Sequence, residues 1–433
     1  MIRKEIIKEI VADFREREIT GIISRDIDIP FNSGKVITLI GVRRCGKTFL
    51  LLDNIIKLIK SGIAKERIFY LNFEDERLNL KSDELDLILQ SFREMNPDID
   101  LSNCYLFFDE IQNIEGCEKF IRRVYDSICK NIFLTGSNSK FLSSDIATSL
   151  RGRTITFEVF PLSFREYLHF RNIELNYNSS KNKSIINKAF IKYLNYGGFP
   201  EVINFDNTMR DKVLQEYYRV MLYKDIIERY NINNTQILNY FLGRILANLS
   251  KATSVNKIYN ELKSANYKTS KNILYDILDW TESIYYTSKV MRFSYSLIGR
   301  EQAERKFYII DNGLVNALTF SFSDDYGKLL ENLIAIHLRR NFGNNVYFYK
   351  ESLECDFVTF LKDKPERLVQ VCYNISEPDT LKREIAGLTA ACKYFNLKSG
   401  IIVTAETESR IETEGISIDI MPAAKFLLGY YGQ

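Results

Sequence analysis

A short glycine-containing segment near the start of the chain constrains the fold more than any other feature. Residues 41–48, GVRRCGKT, fit the pattern GxxxxGK[ST] and lie between a β-prone run at 35–40 and a helical pattern that closes at Gly62. In this context glycines let backbone N–H groups converge on phosphate oxygens, and the N-terminus of the helix adds a partial positive charge. A chance match in a turn is the alternative, but the strand–loop–helix context favours a phosphate-binding loop.

The residues of this loop have separate predicted roles. Lys47 is placed to reach the β- and γ-phosphates of ATP, and Thr48 is placed to ligate Mg²⁺. The two arginines of the loop are extra cations that contact either phosphate or an acid, with Glu74 and Asp75 as candidates. The predicted nucleotide-binding residues are Gly41, Val42, Arg43, Arg44, Cys45, Gly46, Lys47, Thr48 and Phe49.

Two acids follow an apolar run at 104–108, namely Asp109 and Glu110. Ligands of open α/β sheets bind at the C-terminal ends of the strands, where these acids would emerge. We therefore expect Asp109 to hold Mg²⁺, directly or through water, and Glu110 to polarise the attacking water. An isolated Asp-Glu pair would more simply cap the next helix. Because this pair follows a phosphate loop by one strand–helix unit, we prefer the functional interpretation.

Strand and helix patterns alternate through the first third of the chain. The β-rich runs are 35–40, 68–73, 104–108, 131–135 and 154–160. This order predicts an α/β P-loop domain with a mostly parallel sheet and helices on both faces.

The remainder of the chain shows a different order of helix and strand patterns. Three short helical patterns at 237–248, 254–264 and 269–282, with Ser254 and Thr269 as caps, precede a two-strand hairpin, which predicts a winged helix. From residue 327 the order αβββαβ predicts a small α/β domain. The predicted domains are an ATPase domain at 1–162, a helical lid or linker at 163–235, a winged helix at 236–310 and this α/β domain at 311–433.

These motifs together resemble the AAA+ superfamily. The strand at 68–73, which falls between the loop strand and the acid strand along the chain, and Glu110 are features of NTPases with a dedicated catalytic glutamate. More narrowly, the chain is similar to a prokaryotic family of AAA-type ATPases with an uncharacterised, nuclease-like C-terminal domain. The resemblance implies ATP and Mg²⁺ as ligands and allows a homo-oligomer. It rests on GVRRCGKT, LFFDEIQN, FLTGSNS, SLRGR, FPLSFREYL, YLNYGGFPE, KFYIIDNGL and GKLLENLIAIHL.

The resemblance implies two further catalytic residues beside Lys47 and Glu110. Ser137, with Asn138 as second choice, would sense the γ-phosphate at the end of the strand at 131–135. The alternative for this pair is a helix cap or a turn. Arg153 would be an arginine finger, acting on the phosphate of a neighbouring subunit or on its own. A solvated basic turn is the alternative for Arg153.

The winged-helix pattern predicts DNA or a protein as the partner. The recognition helix would span 269–279, with Lys268, Lys271 and Asn272 near its start. The net charge of the whole chain is only +3, so a DNA-binding surface has to be a local patch. Further basic residues around this helix are Lys251, Lys257, Lys263, Lys289 and Arg292. A winged helix that serves only as a protein contact is the alternative.

The C-terminal pattern resembles the restriction-endonuclease-like core, which needs a helix Glu, a strand Asp and then Glu-x-Lys on the next strand. Glu331 and Asp356 take the first two places, but the third reads Gln370-Val371-Cys372, and Cys cannot replace the ammonium. Lys350 is the one candidate for a migrated lysine. We therefore expect an inactive nuclease scaffold that keeps a binding surface, with Glu331 and Asp356 either retained for metal or purely structural.

Cysteine usage and hydropathy predict a cytoplasmic protein without a membrane span. The seven cysteines include no CxxC pair, and no run of about 18 apolar residues occurs. His169 and His337 lie far from the P-loop motifs and are not expected to be ligands or bases. The leading hypothesis is an ATPase that couples nucleotide state to DNA or a protein. The alternatives are a nucleotide-gated protein adaptor with negligible turnover and an ATP-dependent nuclease, which the missing lysine disfavours.

Overall fold

A computed structural model of the chain describes residues 2–137, 147–177, 179–232, 234–296, 298–299, 303–319 and 325–430. The chain divides into two compact units, Met1–Val159 and Phe160–Gln433. Each unit has its own sheet. Within the described residues, no helix combines the length and the apolar character that crossing a bilayer requires.

The first unit is built on a five-stranded sheet in which all neighbouring strands are parallel. The strands are β1 (Val36–Ile40), β2 (Ile68–Asn72), β3 (Tyr105–Asp109), β4 (Ile132–Gly136) and β5 (Thr154–Glu158). Every residue of β1, β3 and β4 is buried, which explains their nearly continuous apolar sequences. The predicted parallel P-loop sheet is confirmed, with strand bounds within two residues of those expected.

Strand order places the residues of β4 at the centre of the sheet. The order is β2-β3-β4-β1-β5. The extra strand that follows the loop strand along the chain, β2, therefore lies at an edge, and β4 separates β1 from β3. Side chains at the C-terminal end of β4 consequently lie between the phosphate loop and the two acids.

Helices cover this sheet as the alternating pattern predicts. They are α1 (Ile2–Glu16), α2 (Lys47–Lys60), α3 (Asp86–Met95), α4 (Cys117–Ser127) and α5 (Ala147–Leu150). Helix α1 packs on α3 and β2, where Phe14 stacks on Tyr70 with ring centroids 4.4 Å apart. Inside the sheet layer, Phe107 of β3 stacks on Phe133 of β4 at 4.6 Å.

The second unit begins with helices. They are α6 (Phe164–Phe170), α7 (Ser180–Tyr196), α8 (Asn207–Val220), a π-helix (Met221–Glu228), α9 (Thr235–Ala247), α10 (Val255–Ser264) and α11 (Lys271–Ser283). Ser254 caps α10 as predicted, by accepting a hydrogen bond from the backbone N–H of Lys257. The predicted cap Thr269 is wrong, because the Ser270 hydroxyl accepts from Ile273 N–H and α11 starts one residue later.

An eight-stranded mixed sheet completes the second unit, in the order β12-β13-β11-β10-β9-β8-β6-β7. The strands are β6 (Thr287–Arg292), β7 (Arg305–Ile309), β8 (Val346–Lys350), β9 (Glu354–Leu361), β10 (Lys364–Val371), β11 (Ser399–Thr404), β12 (Ser409–Thr413) and β13 (Ile416–Pro422). The accompanying helices are α12 (Asn312–Leu318), α13 (Tyr326–Phe342), α14 (Pro378–Phe395) and α15 (Ala423–Leu427).

The hairpin predicted as the wing, β6–β7, belongs to this larger sheet. Met291 and Arg292 of β6 pair in parallel with Tyr347 and Phe348 of β8. The expected boundary at residue 310 therefore directly follows a strand that the C-terminal region shares. The αβββαβ order is present with an additional edge strand, β12, and the winged-helix and nuclease-like assignments and the four-domain division stay predictions.

Candidate nucleotide site

The phosphate loop turns sharply between β1 and α2. Gly46 has φ 99° and immediately precedes α2, and Arg44 has φ 65°. A Cβ atom on Gly41 would lie 2.0 Å from the carbonyl oxygen of Val159, so no side chain fits there. From outside the loop, a guanidinium N–H of buried Arg25 donates to the carbonyl of Cys45 at 2.9 Å. The loop therefore follows a close path that favours glycine at positions 41 and 46.

Lys47 points back into the loop. Its Nζ donates to the carbonyl oxygens of Gly41 and Val42 at 3.0 and 3.1 Å. The same Nζ lies 3.8 Å from Oε1 of Glu110, and both side chains are almost fully buried. The predicted phosphate-binding lysine and the predicted catalytic glutamate thus meet at one place.

Asp109 is the most heavily bonded acid of the site. Its carboxylate accepts hydrogen bonds from the hydroxyls of Thr135 and Tyr70, the latter at 2.9 Å, and from the Thr48 hydroxyl. Burial raises the pKa of Asp109, and the neighbouring Glu110 adds to this, while the three hydroxyls oppose it. A cation bound here would favour the ionised form. The two predicted Mg²⁺ ligands, Thr48 and Asp109, are therefore in direct contact.

Glu110 directly follows β3 in a left-handed backbone conformation, with φ 54°. Its N–H donates to the Thr135 hydroxyl at 2.8 Å, and its Oε2 accepts from the side-chain amide of Gln112. Thr135 thus bonds to both acids at once. Thr135, Tyr70 and Gln112 were not predicted from the sequence as residues of the site. Only the FLTGS segment hinted at Thr135, and its role follows from the central position of β4.

Ser137 lies one residue beyond β4. Its side chain is buried, and its Oγ has no hydrogen-bond partner among the residues that the structure describes. A buried unpaired hydroxyl costs about 1–3 kcal/mol, so its retention beside the acid strand fits a donor reserved for a ligand. The second-choice sensor, Asn138, lies outside the described residues.

Arg153 is not brought together with the other predicted residues. Its backbone oxygen accepts from Val36 N–H at the start of β1, and its guanidinium lies 3.0 Å from the carboxylate of Asp126 on α4. Strands β1 and β5 are parallel and five residues long, so Arg153 lies about 16 Å from the loop end of the sheet. This position fits a role on a neighbouring subunit better than a role on its own nucleotide.

The loop arginines and Phe49 occupy the rim of the site. Arg43 forms an ion pair with Glu74 at 3.0 Å, one of the two acids expected. The other expected acid, Asp75, pairs instead with Arg77 at 2.9 Å. Phe49 in the first turn of α2 is 60% exposed, so its ring is available to a nucleotide.

The residues predicted for a nuclease-like site in the second unit are only partly brought together. Glu331 of α13 and Asp356 of β9 do come together, around Lys306 of β7, a residue that was not predicted from the sequence. Lys350 instead lies on a partly exposed strand position between Glu304 and Glu354. Lys306, and not Lys350, is thus the lysine that contacts Glu331 and Asp356.

The predicted DNA-contact face is largely exposed. Lys289 and Arg292 are the exceptions, since both are only partly exposed, and Lys289 Nζ lies 2.6 Å from a carboxylate oxygen of Glu282. The exposed members of the predicted face are Lys251, Lys257, Lys263, Lys268, Lys271 and Asn272. His337, by contrast, is held neutral, because burial, with Arg340 and Arg367 nearby, lowers its pKa to about 3.

A parallel sheet of this order with a phosphate loop after β1 and acids after β3 defines an AAA-type P-loop nucleotide-binding domain. A sequence family described as "AAA domain" matches residues 33–168, and one described as "Domain of unknown function (DUF8612)" matches residues 187–325. The chain is 37% identical over 453 residues to uncharacterized protein MJ1544 of Methanocaldococcus jannaschii, covering 99% of this chain and 97% of the relative. It belongs to the family of AAA-domain proteins that includes MJ1544.

Further similar proteins share less of their sequence with this chain. An uncharacterized protein of Haemophilus influenzae is 32% identical over 338 residues, 78% of this chain and 82% of the relative. The Orc1 protein of Aeropyrum pernix in complex with DNA matches at 12% identity and TM-score 0.30, over 73% of this chain and 91% of that chain. DnaA of Aquifex aeolicus bound to AMPPCP matches at 17% identity and TM-score 0.24, over 64% and 86%. These TM-scores are too low to indicate a shared function.

Proposed function

We propose that this protein hydrolyses ATP with Mg²⁺ and that its nucleotide state controls how the second unit holds a partner, most favourably DNA. The observation that carries hydrolysis, beyond binding, is the convergence of Lys47, Thr48, Asp109 and Glu110 at the loop end of the sheet. A site built only for binding does not need a buried glutamate 3.8 Å from the phosphate-loop lysine.

Each side chain of the site has a role that follows from its position. Lys47 exchanges the carbonyls of Gly41 and Val42 for phosphate oxygens, and the Ser137 hydroxyl donates to the γ-phosphate. Thr48 and Asp109 fit a Mg²⁺ ion as oxygen ligands that already touch, and Mg²⁺ bound there would neutralise phosphate charge. Glu110 orients and polarises the attacking water, with Gln112 and Thr135 fixing its carboxylate and backbone.

Phosphate release by the full-length protein tests this proposal. We expect turnover that needs Mg²⁺, disappears with excess chelator and rises when duplex DNA is added. ATP binding without phosphate release, in the presence and absence of DNA, would contradict hydrolysis and support the nucleotide-gated adaptor. Turnover that DNA leaves unchanged would retain the ATPase and remove DNA as the coupled partner.

DNA is favoured as the partner because of the exposed start of α11. Lys268, Lys271 and Asn272 are exposed there, and Lys271 Nζ lies 5.5 Å from the ring of Tyr259 on α10. Exposed lysines at the start of a recognition helix suit contacts to phosphates at the edge of a groove. The local basic patch would supply the attraction that the net charge of +3 cannot.

Replacing both Lys268 and Lys271 with Ala should weaken DNA binding uniformly across sequences. The slope of log K against log salt concentration should fall by about 0.9 for each lost phosphate contact. Fluorescence anisotropy over a salt series measures both quantities. Lys382→Ala is the matched control, because this lysine of α14 is 78% exposed and lies outside the predicted face. Equal slopes for the double variant and the control would exclude the α11 face.

A further inference from the structure

A buried lysine occupies the centre of an acidic cluster in the second unit. The side chain of Lys306, on β7, is only 3% exposed. Its Nζ lies 2.9 Å from Asp356 Oδ1, 2.9 Å from Glu354 Oε1 and 3.1 Å from Glu331 Oε1. One ammonium group therefore contacts three carboxylates, which come from α13 and β9.

The bonding capacity of this ammonium is fully used. An ammonium group has three N–H donors, and each has a carboxylate oxygen within reach. Burial alone would lower the pKa of Lys306, but Asp356 and the other acids outweigh it and raise the pKa well above its ordinary value. The Tyr308 hydroxyl donates to the same oxygen of Glu331 at 2.8 Å. The lysine thus stays charged and fixed.

The surrounding groups do not fit the metal that a nuclease core requires. Gln370, at the place of the third metal ligand, accepts from Asp356 N–H at 3.1 Å and donates to Glu384 at 2.6 Å. The second oxygen of Asp356 accepts from Val371 N–H at 3.0 Å. Across the described parts of the chain, no group of three His, Cys, Asp or Glu side chains is arranged to hold a metal ion. The point where the acids converge is taken by Lys306 Nζ.

We propose that the Lys306 ammonium permanently takes the place of a divalent cation between Glu331, Glu354 and Asp356, and that these acids are closed to metal ions while the ammonium is present. The Lys306 ammonium connects the β6–β7 hairpin to α13 and β9 through ion pairs, without a metal ion. The second unit then needs no metal ion at this cluster to hold its partner. This inference does not depend on ATP hydrolysis in the first unit.

Lys306→Ala is the direct test. Nucleotide-free full-length protein is titrated with Mn²⁺, by calorimetry and by following the melting temperature. We expect the variant to melt below wild type, and Mn²⁺ to raise its melting temperature saturably while binding one more ion per chain than wild type. Adding Asp356→Asn to the variant should abolish both gains, and Lys306→Arg, which keeps the charge, should show neither. A folded Lys306→Ala variant without the extra ion would overturn the proposal that the ammonium takes the place of a cation.

A second comparison does not depend on whether Lys306→Ala folds. Wild type and Glu354→Gln, at a carboxylate that is 35% exposed, are titrated with Mn²⁺ side by side. Both should bind Mn²⁺ equally, since the acids already hold the ammonium, and neither should cleave DNA in its presence. Mn²⁺ binding or DNA cleavage by wild type that is lost in Glu354→Gln would overturn the proposal.

Discussion

Glu110→Gln is expected to slow phosphate release by about 10²–10⁴-fold while ATP binding stays nearly unchanged. The amide keeps the size of the side chain and its place beside Lys47 and Gln112, but it cannot polarise water as a carboxylate does. Single-turnover hydrolysis and equilibrium binding of a fluorescent ATP analogue measure the two effects separately.

Glu115→Gln is the matched control for this substitution, because Glu115 lies close in the chain and is exposed. The control should retain the wild-type rate. If Glu110→Gln also retained it, Glu110 would not be the catalytic residue, and the convergence of the site would indicate binding only.

Arg153→Ala is expected to lower turnover by about 10³–10⁵-fold, the usual contribution of an arginine finger, and to spare ATP binding. Because Arg153 lies at the end of the sheet opposite the phosphate loop, it would act on the nucleotide of a neighbouring subunit. Its ion pair with Asp126 is partly exposed on both sides and contributes about 0–1 kcal/mol, so the fold should survive its loss.

Two experiments separate this role from a structural one. Asp126→Ala breaks the same ion pair but leaves the guanidinium, so this variant should keep its activity. Mixing Arg153→Ala with Glu110→Gln protein should restore part of the activity, since each variant supplies what the other lacks. An unchanged kcat for Arg153→Ala would remove the finger role, and failure of the mixture would remove the action between subunits.

The first unit was predictable because its signals are local. The phosphate loop needs glycines and a lysine at fixed spacing, and the acids stand directly after an apolar strand. Each of these features involves residues that are neighbours in the chain. Their placement at one end of a parallel sheet then follows from the general rule for such folds.

Features that depend on strand order escaped the sequence analysis. Thr135 bonds to both acids because β4 lies between β1 and β3, and nothing within β4 encodes that position. Lys306 is 25 and 50 residues from Glu331 and Asp356, and no spacing rule links them. Among the described residues, the hairpin β6–β7 pairs with β8 over a short stretch at Met291 and Arg292, so its sequence is compatible with an independent wing.

The shared sheet of the second unit limits how the chain can be divided. A fragment that starts at residue 311 would lack β6 and β7, and with them Lys306. Strand β8 would then present an unpaired edge, which invites association with other chains, and three acids would lose their counter-ion. The β6–β7 hairpin and the C-terminal α/β region thus share one sheet, and we expect a fragment that contains only one of them to be less stable than the whole second unit.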